Sequence, residues 1–158
     1  MLIRKAKLKD LTQVSKHAVS MLKYHHNLDP YFAPVKNIQE IYQKFFKKCI
    51  YSKNRLLLVA EENNKIIGYA LGAVGSRAPV FQIRKVGLIN DVFVEKDFRK
   101  LGIAKQFLLE LNKWFKSKKL KHVELTVHSE NEIGKKAWAK SGFKGYMIKE
   151  RIDTQQLY

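Results

Sequence analysis

Apolar positions along the chain recur in two rhythms, one of three to four residues and one of two. Leu2 and Ile3 predict an opening strand over residues 1–7. Leu11, Val14, Ala18, Met21 and Leu22 then recur at helical spacing. Asp10 with Gln13 three positions later fits a capping box for that helix. Asp29-Pro30 ends it, because a proline pushes its predecessor out of the α region. Asn37 with Glu40 predicts a second cap, and Ile41, Phe45, Cys49 and Ile50 form the apolar side of a second helix. Residues 56–60 and 66–74 read as an antiparallel hairpin, joined through 61–65 by a turn longer than two residues. The stretch 75–82 is a loop and 83–94 a further strand. Ile103, Phe107, Leu108, Leu111, Trp114 and Phe115 make the stripe of a third helix. Val123, Leu125 and Val127 alternate with Glu124, Thr126 and His128, the pattern of a half-buried strand over 123–128. Ser129 with Glu132 predicts the cap of a last helix that Gly142 ends, and 143–148 a final strand. The predicted order is β-α-α-β-β-β-α-β-α-β, an α/β (α+β) class with a mixed, mostly antiparallel sheet flanked by helices, in a single domain over 1–158.

The junction Val94-Glu95-Lys96-Asp97-Phe98-Arg99-Lys100-Leu101-Gly102-Ile103-Ala104-Lys105 carries the most chemistry. A strand feeds a helix through a short charged turn. The first N–H groups of a helix lack intrahelical acceptors. With the helix dipole they make an anion site, most often for phosphate. Gly102 has no Cβ and Ala104 little bulk, so a ligand can come close.

Arg-x-x-Gly-x-Ala after a strand ending in Val resembles the pyrophosphate loop of the GNAT superfamily of acyl-CoA-dependent N-acyltransferases. The strand Leu88-Ile89-Asn90-Asp91-Val92-Phe93-Val94 is similar to that family's fourth strand. Asn131-Glu132-Ile133-Gly134-Lys135-Lys136-Ala137-Trp138 running to Gly142-Phe143 looks like its second motif. The resemblance implies transfer of an acetyl group directly from acetyl-CoA to a primary amine, with no metal. It implies that Val92, Phe93 and Val94 pair through their backbone with the pantetheine arm. The Val94 N–H would stabilise the oxyanion. Arg99, Lys100, Leu101, Gly102, Ile103, Ala104 and Lys105 would surround the diphosphate, Arg99 and Lys100 adding charge-assisted contacts. Asn131 would hold the pantetheine arm by its side-chain amide.

The attacking amine must first lose a proton. A lysine-like amine titrates near ~10.4, so a general base, or a water chain to one, is expected. The family often places a carboxylate on this strand. Asn90 cannot serve; Asp91 can, or it is an exposed or loop-pairing carboxylate. On a regular strand Asn90 shares a face with Val92 and Val94, and Asp91 with Ile89 and Phe93. Glu124 and His128 are reserves on the next strand. Trp138 stands where the family often carries a tyrosine on the cofactor side; its indole N–H donates a hydrogen bond but supplies no proton near neutral pH, or the ring simply packs. Tyr146 is an alternative donor. Tyr24, Tyr31 and Phe32 either line the acceptor pocket or belong to the core.

Composition narrows the setting. Thirty-one Lys plus Arg stand against fourteen Asp plus Glu, a net charge of +17. That excess favours anionic partners: nucleic acid, ribosomal particles or a polyphosphorylated cofactor. The lysines are scattered, with no basic stripe interleaved with aromatics, so a solvated lysine-rich surface is favoured over a nucleic-acid face. A basic nucleic-acid- or ribosome-binding module on the same fold is the alternative to an enzyme. One cysteine, Cys49, excludes an internal disulfide and fits a reducing compartment. The opening residues lack the apolar run of a signal peptide and no segment is long and apolar enough to cross a bilayer, so a cytoplasmic location away from membranes is expected. Expected partners are acetyl-CoA and an amine acceptor, a small molecule or a protein, and the expected state is monomer or homodimer. His25-His26 do not share a helical face and have no ligand cluster at metal spacing.

Overall fold

A computed structural model describes residues 1–157. It places β1 (Leu2–Lys5), α1 (Leu11–Leu28), α2 (Ile38–Tyr51), β2 (Arg55–Glu62), β3 (Lys65–Ser76), β4 (Lys85–Val94), α3 (Ile103–Ser117), β5 (Val123–Leu125) and α4 (Glu132–Lys140) in that order. The chain divides into two compact units, Met1–Thr126 and Val127–Tyr158. The first holds the whole five-stranded sheet, ordered β1-β2-β3-β4-β5. Successive strands are antiparallel except β4 and β5, which run parallel, as strands joined by a crossover helix do.

α1 and α2 bury one face. Val14, Ala18, Phe46 and Cys49 pack with Leu57, Val59, Tyr69 and Leu71 into one cluster. α3 covers the other face through Ile103, Phe107, Leu111 and Phe115, all buried and four residues apart. Each such burial is worth about 1.5–3 kcal/mol. α3 lies close because the sheet is small beneath it: a Cβ on Gly72 would stand 2.7 Å from Leu111, and one on Gly87 2.8 Å from Phe115.

Local chemistry departs from the predicted pattern at several points. The β2–β3 turn has two residues, Asn63 and Asn64, with φ of 49° and 63°. Two positive φ values suit a type I′ turn, which asparagine tolerates, so the hairpin is tighter than expected. The Asp10–Gln13 box does not form. Asp10 instead accepts from the Lys7 N–H and from Arg4, while Gln13 accepts from the Ile66 N–H at 2.9 Å. Asn37 makes no side-chain cap. Asn131, not Ser129, caps α4. β5 ends at Leu125 rather than 128. Residues 143–148, expected as a final strand, form none: no ladder includes them, and Tyr146, Met147 and Ile148 are exposed. Their run of three apolar residues lacks the alternation that seats a strand on a core face.

Candidate active site

β4 carries an irregularity that organises the site. Leu71 of β3 pairs with Asp91, but Gly72 pairs with Ile89, leaving Asn90 as an extra, exposed residue. Such a bulge re-aims the residues beyond it. Ile89 now shares a face with Gly72, under α3, while Asp91 keeps the opposite face with Phe93. The expectation that Ile89 and Asp91 share a face therefore fails, because one inserted residue breaks the two-residue alternation.

The same bulge decides where the backbone points. Gly87 donates its N–H to His122 O at 2.8 Å, towards β5; Glu95 donates to Ile67 O at 2.9 Å, towards β3. Counting back from Glu95 in steps of two, Phe93 and Asp91 also face β3. Val92 and Val94 thus turn their N–H and C=O groups to the other edge. β5 pairs with β4 only over Gly87–Ile89. Past Ile89 the β4 edge has no strand beside it among the described residues, and the groups of Val92 and Val94 line that opening. The Val94 carbonyl accepts from Arg99 Nε at 3.0 Å, which ties the loop after β4 back to the strand.

Beyond Val94 a short 3-10 turn, Lys96–Phe98, leads through Arg99 into α3. Lys100 (φ 66°) and Gly102 (φ 80°) are both left-handed, and together they turn the chain into the helix. A Cβ built on Gly102 would meet no atom within 4 Å, so the glycine opens a space rather than filling one. No side chain caps α3. Its first helical hydrogen bond is Gln106 N–H to Gly102 O at 3.0 Å. The N–H groups of Ile103, Ala104 and Lys105 precede it and have no intrahelical acceptor. Leu101, Gly102, Ala104 and Lys105 are exposed around them, while the Ile103 side chain anchors the helix in the core. This donor set suits a diphosphate.

Asp91 is half-buried on the face that α1 and α2 cover. Burial pushes its carboxyl up to about 6, and the Tyr69 hydroxyl, 3.4 Å from Oδ2, draws it the other way. Tyr69 is fully buried and lies between Phe46 and Phe93. Its own hydroxyl is raised, by burial first and then by the Asp91 charge. Tyr42 is raised by the same two causes. Neither tyrosine is legible as a site residue in the sequence: the bulge sets the register of Tyr69 with Asp91, and Tyr42 comes from α2, far away along the chain. Phe93 is turned away from the open edge: its ring stacks on His17 at 5.0 Å and its backbone faces Tyr69 of β3. Glu124 stands opposite Leu88 on β5.

In the second unit, Asn131 spends its side-chain oxygen on the Gly134 N–H at 2.8 Å. Trp138 is half-buried and meets Phe143 edge-on at 5.6 Å. His128 lies beyond β5 and accepts the Glu130 N–H at 3.1 Å. Among the described residues no three of His, Cys, Asp and Glu gather to hold a metal, and no helix is long and apolar enough to cross a membrane.

The model of the acetyltransferase (GNAT) family matches residues 21–143. The chain belongs to the GNAT acetyltransferase family. Similar solved structures carry the same fold. A tetramutant of the BH1408 protein of Bacillus halodurans superposes with a TM-score of 0.86 at 21% identity, over 97% of this chain and 99% of that one. A predicted acetyltransferase of Clostridium acetobutylicum, solved with acetyl-CoA, gives 0.74 at 22% identity over 98% and 97%. The aminoglycoside 6′-N-acetyltransferase AAC(6′)-IG of Acinetobacter haemolyticus gives 0.74 at 15% identity over 97% and 100%. No curated protein matches the chain in sequence. As a member of the acetyltransferase (GNAT) family the chain is an acetyltransferase enzyme.

Proposed function

We propose that this acetyltransferase moves an acetyl group from acetyl-CoA straight to a primary amine, on a small molecule or a protein, in the cytoplasm. The observation that supports this best is the β4 edge past Ile89, where Val92 and Val94 present backbone groups beside a loop that ends in α3's uncapped N–H groups. The Val92 and Val94 groups pair with the pantetheine arm as a further strand would. The Val94 N–H donates to the thioester oxygen as charge builds there. The N–H groups of residues 102–105 hold the diphosphate, with Lys100 and the remaining Arg99 nitrogens adding charge. Asp91 accepts the amine proton, directly or through water; a carboxylate titrating at about 6 is ionised at neutral pH yet more basic than an exposed one. The thioester supplies the activated acyl group, and a thiol titrating near ~8.5 leaves without an obligatory acid.

The test is a panel of primary amines (aminoglycosides, polyamines, peptides with free N-termini and lysine peptides) offered with acetyl-CoA while free thiol is recorded. Amine-dependent thiol release supports the reading. Absence of CoA binding by calorimetry overturns it.

A further inference from the structure

We propose that a crevice at the C-terminal end of α3 binds the phosphate of a nucleotide, with the Trp114 indole as a wall for the base. The crevice holds about 300 Å3 and is walled by the ends of β1, α2 and α3 and the start of β2. Lys5, Lys53, Arg55 and Lys118 line it, together with Ser52 and Trp114, and no aspartate or glutamate does among the described residues. Among the described residues its cations form no ion pair with a carboxylate. Arg55 rests 5.2 Å from the Phe45 ring centre and reaches Cys49 Sγ at 3.8 Å; Lys118 Nζ lies 5.8 Å from the Trp114 ring centre. Arg4, nearby on β1, shows the contrast: it meets Asp10 and Glu61, each at 2.6 Å.

Two helix ends point their negative poles here, since α2 stops at Tyr51 and α3 at Ser117. Each supplies about −0.5 charge, so together they offset about one of four cations. A surplus of about three positive charges stays on one small cavity, and a phosphate monoester carrying close to two negative charges relieves it. The half-buried Trp114 favours a ligand with a flat apolar group beside its phosphate. The site is separate from the diphosphate loop. α3 spans fifteen residues, so its two ends lie roughly 22 Å apart.

A free nucleotide and a strand of single-stranded RNA carry this same chemistry, and the experiment separates them. AMP and an eight-residue oligoadenylate are titrated against wild-type protein, against Lys53→Gln/Arg55→Gln/Lys118→Gln, and against Lys16→Gln/Lys23→Gln/Lys36→Gln, which removes equal charge elsewhere. Wild type and the second triple variant are expected to bind alike, and the crevice variant at least tenfold more weakly, with its CoA affinity retained. Equal affinity for AMP and the oligonucleotide identifies a free nucleotide. Tighter oligonucleotide binding, whose salt slope falls by about two in the crevice variant, identifies a strand. Equal weakening in both triple variants, or no binding by wild type, overturns the proposal. Should the crevice variant not fold, wild-type indole resonances decide. The chain has two tryptophans, and AMP must shift the Trp114 N–H signal. A shift of the Gly102 amide alone places the nucleotide in the CoA loop and overturns the proposal.

Discussion

At its N-terminal end α3 begins from an uncapped Gly102, with free N–H groups on Ile103, Ala104 and Lys105; at its C-terminal end Lys118 joins Lys5, Lys53 and Arg55 around a cavity that no aspartate or glutamate lines among the described residues. Both ends suit negative charge, by opposite means. The first uses the backbone, whose donors are fixed by the helix and need only a residue without bulk at the turn. The second uses side chains from β1, β2 and the turns that follow α2 and α3. Backbone donors supply geometry for a diphosphate without net charge of their own; the three lysines of the crevice are point charges with little preference of shape, to which Arg55 adds a planar fork. A family held to one co-substrate therefore needs the first device, and the +17 of this chain is largely a separate matter.

Variants separate the two devices. The largest effect is expected from Asp91→Asn, which separates chemistry from binding at the loop end. Turnover should fall by about 10²–10³-fold with CoA affinity kept, as calorimetry and thiol release would show. The wild-type rate should drop about tenfold per unit below the Asp91 midpoint at about 6. The stability effect has the opposite sense. Because folding raises this carboxyl from 3.8 to about 6, its contribution is fully present below 3.8 and is lost as pH rises through about 6. Asp91→Asn should then be more stable than wild type above pH ~7, by up to roughly 3 kcal/mol, and no more stable below pH ~4, measured by urea titration.

Gly102→Val comes next. Its left-handed φ and the open space beside it mean the valine strains the turn and fills the space in which the proposed diphosphate sits. CoA affinity should fall about 100-fold, while AMP binding at the far crevice stays. Arg99→Gln removes the tie to the Val94 carbonyl and a charge at the loop, and should weaken CoA by about tenfold in the same titration. The smallest effect is Tyr69→Phe. Losing the hydroxyl that favours the Asp91 anion should raise the acid limb of the rate profile, giving a several-fold loss at pH ~6 and little change at pH ~8.

The two ends also differ in how far the sequence reveals them. The loop from Arg99 to Lys105 is contiguous, so its glycine, its helix stripe and the strand before it could be read together, and the order of elements along the chain up to β5 followed from the same periodicities. Asn90 is where reading stopped. A bulge is one extra residue with no side-chain signature, and it moved Ile89 under α3, aimed Val92 and Val94 at the open edge, and brought Tyr69 to Asp91. Caps failed for a related reason: Asp10 and Gln13 found long-range partners in Arg4 and Ile66 that local spacing does not contain. The crevice was invisible because Lys5, the pair Lys53 and Arg55, and Lys118 come from three distant stretches of the chain.

A crystal structure with CoA bound would decide the matter. The diphosphate oxygens should lie within about 3 Å of the N–H groups of residues 102–105, with the sulfur end beside Val94. A diphosphate seated among Lys53, Arg55 and Lys118 instead, with the Gly102 turn untouched, would contradict the account.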